Sequence, residues 1–246
     1  MVEGKKYELT DETIEVDIYD GDVSLTLYRI RALRDFGDIK AGQLGGFVES
    51  ENNLSQRGLC FVYDDAKVYL GAKVRDHAKI YGDATIRRGT VSGDARVYNN
   101  AFVAGRNAKI SGDAKIYGHA EILGDDAEIY DDAEVYDYAQ VGDDAKIYGS
   151  AKVYGDAEVY GRAKIYDDAE VFGDAEVYEH AEVFGDAKIC DHAKVYNDAI
   201  VCDDARVYGD AKAHGDVEVC AYAEVYEHAE VTQNCIVCTI RGHERY

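Results

Sequence analysis

The sequence predicts an all-β fold in which short strands stack as the coils of a parallel solenoid, with a separate cap at the N-terminal end. Three observations carry this prediction. A six-residue repeat fills most of the chain, the first 60 residues do not repeat, and the 246 residues include no proline. The absence of proline fits a chain whose backbone amides nearly all donate within sheet ladders, because proline lacks that donor.

Each repeat unit has six positions. In order, they hold an aliphatic residue, a second residue that is usually tyrosine, two turn residues that are often Gly-Asp, an alanine, and a lysine or glutamate. From Ile129 to Val237 the aliphatic position recurs every six residues, nineteen times without a slip. Ala213 is the one member that is neither Val nor Ile, and Val217 replaces the alanine four places later. This exchange roughly conserves core volume. The alternation predicts alanine and the aliphatic residue on one face, with Lys or Glu and tyrosine on the other.

A unit of six residues cannot bury its apolar face alone, so the units must coil and stack. We predict about ten triangular coils of 18 residues over residues 61–238, between a capping segment at 1–60 and a short tail at 239–246. Three spacings break the rhythm, at 86–91, 103–110 and 122–129. Counting coils assigns all three breaks to the same corner of the triangle, which supports three units per coil.

The cap contains a predicted β-hairpin. Two alternating apolar segments flank Asp20-Gly21, a strong two-residue turn signal. A cap is physically required, because a terminal coil would otherwise expose its ladder edges and its core. The turn predicts the pairs Ile18 with Val23, Val16 with Leu25, and Ile14 with Leu27.

The repeat resembles that of the hexapeptide-repeat family, in which a small residue follows an aliphatic one by four positions, as in Val153/Ala157 and Val159/Ala163. The resemblance implies a left-handed parallel β-helix. Residues 29–50 resemble the cap of a bacterial and phage group of this family that is often labelled acyltransferase. For such enzymes the resemblance implies trimers in which a histidine at a cleft between subunits acts as general base on an acceptor that attacks acetyl-CoA.

The negative charge is concentrated in the regular half of the repeat. Residues 1–110 hold 16 basic and 17 acidic side chains, whereas residues 111–246 hold 11 and 32, which makes a net charge of −21. Spread over about 34 Å of solenoid, this is about one negative charge per 1.6 Å, close to duplex DNA. The aspartates expected to form this acidic surface are Asp132, Asp156, Asp168, Asp174, Asp186, Asp204 and Asp210.

These observations favour a non-catalytic, rigid interaction protein without a cofactor, which mimics nucleic acid and blocks a DNA- or RNA-binding protein without binding nucleic acid itself. A passive structural solenoid is an alternative, because corner aspartates also serve turns and solubility. The other alternative is the acyltransferase, with acetyl-CoA as substrate. Five histidines take corner positions, whereas His214 replaces a tyrosine below Tyr196 and is the best catalytic candidate, although no family motif aligns on it.

Two further surfaces are candidates. Arg87, Arg88 and Arg106 gather at the irregular corner, where they would hold an anionic ligand such as coenzyme A, balance the acidic half, or contact another subunit. An apolar strip near the C-terminal end predicts a protein interface or self-association as a dimer or trimer. The strip consists of Phe184, Ile200, Cys202, Cys220, Ile236 and Cys238.

The remaining composition predicts a cytoplasmic protein that does not contact a membrane. The six cysteines are not spaced like a secreted disulfide framework, so we expect free thiols. We predict no metal site, because Cys235 and Cys238 would face opposite sides of one strand. Met1 to Lys6 resembles no signal peptide, and no apolar stretch is long enough to span a bilayer.

Overall fold

The computed structural model describes residues 4–18 and 23–232 and the backbone of Ile236–Val237. Within these residues the chain forms 33 strands, numbered here in chain order, and no helix. The described residues therefore include no helix that could cross a membrane. Three strands belong to the cap, namely β1 (Tyr7–Ile18), β2 (Val23–Ala32) and β3 (Leu44–Val48).

The other thirty strands, nearly all two residues long, form ten coils with three faces each. Face 1 contains β5 (Lys67–Val68), β8 (Thr85–Ile86), β11 (Phe102–Val103), β14 (Glu121–Ile122), β17 (Gln140–Val141), β20 (Glu158–Val159), β23 (Glu176–Val177), β26 (Lys194–Tyr196), β29 (Lys212–His214) and β32 (Glu230–Val231). Face 2 contains β6 (Lys73–Val74), β9 (Thr90–Val91), β12 (Lys109–Ile110), β15 (Glu128–Ile129), β18 (Lys146–Ile147), β21 (Lys164–Ile165), β24 (Glu182–Val183), β27 (Ile200–Val201), β30 (Glu218–Val219) and β33 (Ile236–Val237). Face 3 contains β4 (Phe61–Val62), β7 (Lys79–Ile80), β10 (Arg96–Val97), β13 (Lys115–Ile116), β16 (Glu134–Val135), β19 (Lys152–Val153), β22 (Glu170–Val171), β25 (Lys188–Ile189), β28 (Arg206–Val207) and β31 (Glu224–Val225).

Neighbouring strands on each face run parallel, and in the regular half the paired residues are 18 apart. Val153, for example, pairs with Val171. The three irregular spacings join β8 to β9, β11 to β12 and β14 to β15, so all of them lie at the corner between face 1 and face 2. The predicted coil length, the number of coils and the shared irregular corner are confirmed.

The core is a continuous column of alanine and aliphatic side chains. Ala157 and Val159 are fully buried, and the same two positions of the repeat are buried in coil after coil. Ala213 and Val217 are buried as well, as the predicted exchange of small for large requires. Each face supplies one aliphatic and one alanine side chain to the interior, so the apolar surface that a single unit cannot bury is covered by its neighbours.

Each corner consists of two residues, and the first of them takes a positive φ at most corners. Gly155 has φ 74° and Asp131 has φ 58°. Glycine, asparagine and aspartate tolerate this left-handed conformation better than other residues, which explains the Gly-Asp and Asp-Asp dipeptides of the repeat. Ala221, with φ 60°, adopts the same conformation without those advantages.

The cap continues the face 1 sheet. The hairpin pairs β1 with β2 in the predicted register, with Ile18 opposite Val23 and Val16 opposite Leu25, although the turn at 20–21 lies outside the described residues. β3 then runs antiparallel to β2 and parallel to β5. The parallel ladder thus begins before residue 61, where the recognisable repeat starts.

Buried polar side chains fix the cap to the first coil. Lys6 is fully buried, and its Nζ donates to the carbonyl oxygen of Cys60 at 2.8 Å and lies 3.3 Å from the Cys60 thiol. Burial lowers the pKa of Lys6. Tyr7 is also buried, and its hydroxyl donates to the carbonyl of Leu54 at 2.7 Å. These contacts satisfy backbone acceptors that the first coil would otherwise leave unpaired.

Candidate functional site

The corners carry two classes of aspartate. At the first corner position the carboxylate turns back to the solenoid. Asp143 accepts a hydrogen bond from the backbone N–H of Gly161, one coil later, and Asp203 accepts one from Ala221, both at 3.0 Å. At the second position most aspartates are exposed and do not accept a backbone hydrogen bond from the next coil, although the first-position Asp143 and Asp203 are exposed as well. The first class stabilises the stacking of coils, and the second class adds exposed charge that is not engaged with the backbone of the next coil.

All seven aspartates predicted as the acidic surface take the second position and are exposed. Asp174 and Asp210 lie 3.1 and 3.2 Å from corner histidines one coil away, His192 and His228. The other five have no side-chain partner among the described residues. Asp132, Asp168, Asp186 and Asp204 lie on the corner between faces 2 and 3, and Asp156, Asp174 and Asp210 lie on the corner between faces 3 and 1.

Many charged residues on the flat faces, by contrast, are paired with each other. Glu128 lies between Lys109 and Lys146, at 2.7 and 2.8 Å, and hydrogen bonds from both lysines lower its pKa. Lys164 pairs with Glu182 at 2.7 Å in the same way. Side chains of opposite sign on neighbouring strands stabilise the sheet modestly. Because these pairs are locally neutral, the unbalanced negative charge lies at the corners.

Aromatic side chains form stacked ladders beside these ion pairs. The rings of Tyr130, Tyr148, Tyr166 and Phe184 stack at 4.8–4.9 Å. A longer ladder on face 3 contains Tyr81, Tyr98, Tyr117, Tyr136, Tyr154 and Phe172. The ladder spacing measures the rise per coil, and it shows that the rings pack on each other rather than present separate ligand platforms.

The apolar strip does not have the exposure that the sequence suggested. Cys202 is only 4% exposed, and Phe184, Ile200 and Cys220 are half-buried. Cys202 lies one coil after the Phe184 position and two residues after Ile200 on the same side of face 2. The side chain of Ile236 and the whole of Cys238 lie outside the described residues. An exposed apolar strip is therefore the wrong description of this part of face 2, and the interface assigned to it is untested.

His214, the catalytic candidate, is part of an aromatic ladder on face 1. Its ring stacks on Tyr196 with 4.5 Å between centroids, and its side chain is 20% exposed. Nε2 lies 3.1 Å from a carboxylate oxygen of Glu230 on the next coil. This pair is a histidine oriented by a carboxylate, the arrangement that a general base requires. The sequence analysis did not identify Glu230 as the partner.

The basic corner lies far from His214. Arg87 and Arg88 follow β8 and Arg106 follows β11, so the three occupy one corner on adjacent coils, as predicted. Arg106 is held by Asp125, whose carboxylate accepts its backbone N–H at 3.1 Å. Six coils, or about 29 Å, separate Arg106 from His214. Within one chain the two do not form a single site.

A cleft near the cap was missed by the sequence analysis. It has a volume of about 330 Å³ and is lined mainly by Asp38, Tyr63, Lys79, Tyr81 and Arg96. Asp38 comes from the cap and forms an ion pair with Lys79 at 3.1 Å. The sequence signal was the run of basic residues on one face, but the cleft arises only because the cap folds over that face.

Comparison with known proteins finds a similarity over part of the chain. No family model matches the chain. A protein of Escherichia coli (strain K12), described as "Uncharacterized acetyltransferase YdcK", is 31% identical over 85 residues. The aligned segment covers 33% of this chain and 26% of that protein, so the chain spans about a quarter of the relative's length. The stacked parallel coils and their 18-residue register make the chain a parallel β-solenoid with three six-residue units per coil.

Proposed function

We propose that this protein is a rigid, acidic interaction protein that occupies the phosphate-binding surface of a DNA- or RNA-binding partner. The observation that carries the proposal is the row of exposed second-position aspartates in the half of the chain whose net charge is −21. Asp168, Asp186 and Asp204 lie on three consecutive coils of one corner and have no side-chain partner among the described residues.

The rigidity of the scaffold supports this proposal. The aspartates project from a backbone in which consecutive coils are hydrogen-bonded along all three faces, and neighbouring rings keep a spacing of 4.8–4.9 Å. Charges fixed at regular intervals do not have to be ordered when a partner binds, so binding costs less conformational entropy. Their density approaches that of a nucleic-acid backbone, to which proteins bind largely by electrostatic attraction.

The proposal is tested with a sequence-independent DNA-binding protein as the probe. We expect the full chain to bind the probe, duplex DNA to displace it, and affinity to fall steeply between about 50 and 200 mM salt. The variant with Asp168, Asp186 and Asp204 changed to Asn should bind more weakly, with a salt dependence reduced by about one unit of slope per charge in contact. Asparagine retains the turn preference of aspartate, so the fold is preserved.

A matched control separates position from net charge. Changing Asp11, Asp17 and Asp83 to Asn also lowers the net charge from −22 to −19, but these exposed residues lie in the cap and early coils. This control should bind the probe almost as the parent does. Equal weakening in both variants would leave only a general charge effect, and salt-insensitive binding or no competition with DNA would refute the proposal.

A second candidate function is acyl transfer from acetyl-CoA, which is favoured by the similarity to the E. coli protein described as an acetyltransferase. In this case His214, oriented by Glu230, acts as general base on the acceptor hydroxyl or amine. The acid-base pair alone does not provide a binding site for coenzyme A.

The acyltransferase candidate is tested by calorimetry with acetyl-CoA, followed by assays of acetyl transfer to amines and hydroxyls. His214→Ala should abolish turnover, and Glu230→Gln should lower it by about 10²-fold or more, within the range of general-base catalysis. His192→Ala, at an exposed corner next to Asp174, is the control and should retain activity. Absence of acetyl-CoA binding would exclude this candidate. If neither probe binds, the passive structural solenoid remains.

A further inference from the structure

Two thiols and a carboxylate meet on the outer side of face 2. Cys202 follows β27, Cys220 follows β30 in the same column one coil later, and Glu218 begins β30. The sulfur atoms of both cysteines and a carboxylate oxygen of Glu218 all lie within 4.8 Å of one another. The grouping follows from the fold. Residues 18 apart stack directly, and residues two apart on a strand project from the same side.

This set of donors suits a particular class of ion. Thiolates select soft or borderline cations such as zinc, and a carboxylate is a common additional ligand. Because a zinc–sulfur bond is about 2.3 Å long, two thiolates on one tetrahedral ion lie about 3.8 Å apart. The donor atoms already lie within 4.8 Å of one another, so a contraction of at most about 1 Å reaches that geometry.

The surroundings of the cluster differ from those of the acidic corners. Cys202 is buried, and the half-buried Phe184 and Ile200 lie beside it, so water is partly excluded from one side. The two thiols share a hydrogen bond. The whole half of the chain attracts cations through its net charge of −21. A soft cation thus meets favourable long-range attraction and thiol ligands on the same surface.

We propose that Cys202, Glu218 and Cys220 form a binding site for one thiophilic divalent cation of the zinc class. On binding, each thiol loses one proton to solvent and its sulfur bonds to the ion, while Glu218 supplies one oxygen. No oxidation or reduction occurs. Three protein ligands leave one tetrahedral position for water. The ion would link two consecutive coils of face 2.

The test uses the full chain, reduced and freed of metal with a chelator. Titration with zinc followed by calorimetry should give one ion per chain with release of protons, and titration with cobalt should give the sulfur-to-cobalt charge-transfer absorption. Cys220→Ser and Cys202→Ala should each weaken binding by more than about 100-fold, because loss of an outer-shell partner alone costs 10–100-fold. Cys220 is half-buried, so its variant remains informative if Cys202→Ala fails to fold.

Three variants distinguish this site from other sources of binding. Glu218→Gln should weaken zinc binding, whereas Glu224→Gln, at the equivalent position on face 3, should not. Cys190→Ser, a half-buried thiol on face 3, should leave the cobalt absorption unchanged. The double variant Cys235→Ser/Cys238→Ser, outside the described residues, should also retain binding. Absence of the charge-transfer band, its persistence without Cys202 and Cys220, or its loss in the Cys235/Cys238 variant would overturn the proposal.

Discussion

The exchange of small and large core residues at Ala213 and Val217 provides a quantitative test of the packing. Ala213 lies in β29 on face 1, between Val195 and Val231 of the neighbouring coils. Val217 follows the corner and precedes β30 on face 2. Both are buried in one core, so the extra bulk of Val217 occupies space that a valine at position 213 would fill. Each residue compensates for the other.

The magnitudes follow from the groups removed or added. Val217→Ala removes two buried carbon atoms, about 1.6 kcal/mol in transfer free energy, and the remaining cavity brings the loss to about 2–3 kcal/mol. Ala213→Val inserts the same volume into a filled corner and costs about 1–3 kcal/mol. The double variant restores the regular repeat and should cost less than about 1 kcal/mol. The coupling free energy between the two sites is therefore about 3 kcal/mol.

The assay is equilibrium unfolding in urea of the parent, both single variants and the double variant, fitted with nearest-neighbour coupling between coils. As a control, Ala213→Val is combined with Val153→Ala, a buried change three coils away on face 3, and this pair should be additive within about 0.5 kcal/mol. If Ala213→Val and Val217→Ala were also additive, the two side chains would not share core volume, and the compensation inferred from the repeat would be wrong.

Three further predictions concern the cap, the tyrosine ladders and a corner. Lys6→Ala should lower the free energy of unfolding by about 2–4 kcal/mol, because it empties a buried site and leaves the Cys60 carbonyl unpaired. The control Lys5→Ala, at an exposed ion pair, should change the free energy of unfolding little, and thermal unfolding compares the two variants. Burial raises the pKa of Tyr178 from 10.0 to about 12, so its contribution to stability is complete below pH 10 and is lost as the pH rises towards 12. The difference in tyrosinate absorbance between the parent and Tyr178→Phe should therefore appear only towards pH 12, and a difference that appears near pH 10 would contradict this. Ala221→Gly should raise the free energy of unfolding in urea by about 0.5 kcal/mol, because glycine adopts the left-handed conformation of this corner without steric strain, at some cost in entropy. A lower free energy of unfolding would contradict the strain assigned to Ala221.

Periodic features of this protein could be predicted because they depend on one rule applied many times. A shift of one residue would move every valine of a strand from the core to solvent, so the register of the coils is tightly specified. The same reasoning gave the hairpin pairing of Ile18 with Val23 and the common corner of the three irregular spacings. The exposed positions of Asp168 and Asp204 followed from their place in the repeat.

Features that depend on side-chain reach or on irregular segments could not be predicted in this way. The repeat places Cys202 on the outer side of face 2, but the period does not specify that its side chain is only 4% exposed there. The contact of His214 with Glu230 depends on the rotamers of two residues 16 positions apart. The cleft at Lys79 exists only because the non-repeating cap folds over face 3.

The sequence by itself determined the number of residues per coil, the three faces, the direction of each side chain and the location of the excess charge. Burial of alternate apolar residues leaves a repeating chain very few ways to stack, so these properties are encoded in the period. Only the tertiary structure decided which carboxylates are engaged with neighbouring coils and which are free, that Lys6 is buried, and that Cys202, Glu218 and Cys220 lie together. These properties arise from contacts between particular side chains on different coils, whose distances and rotamers no period specifies.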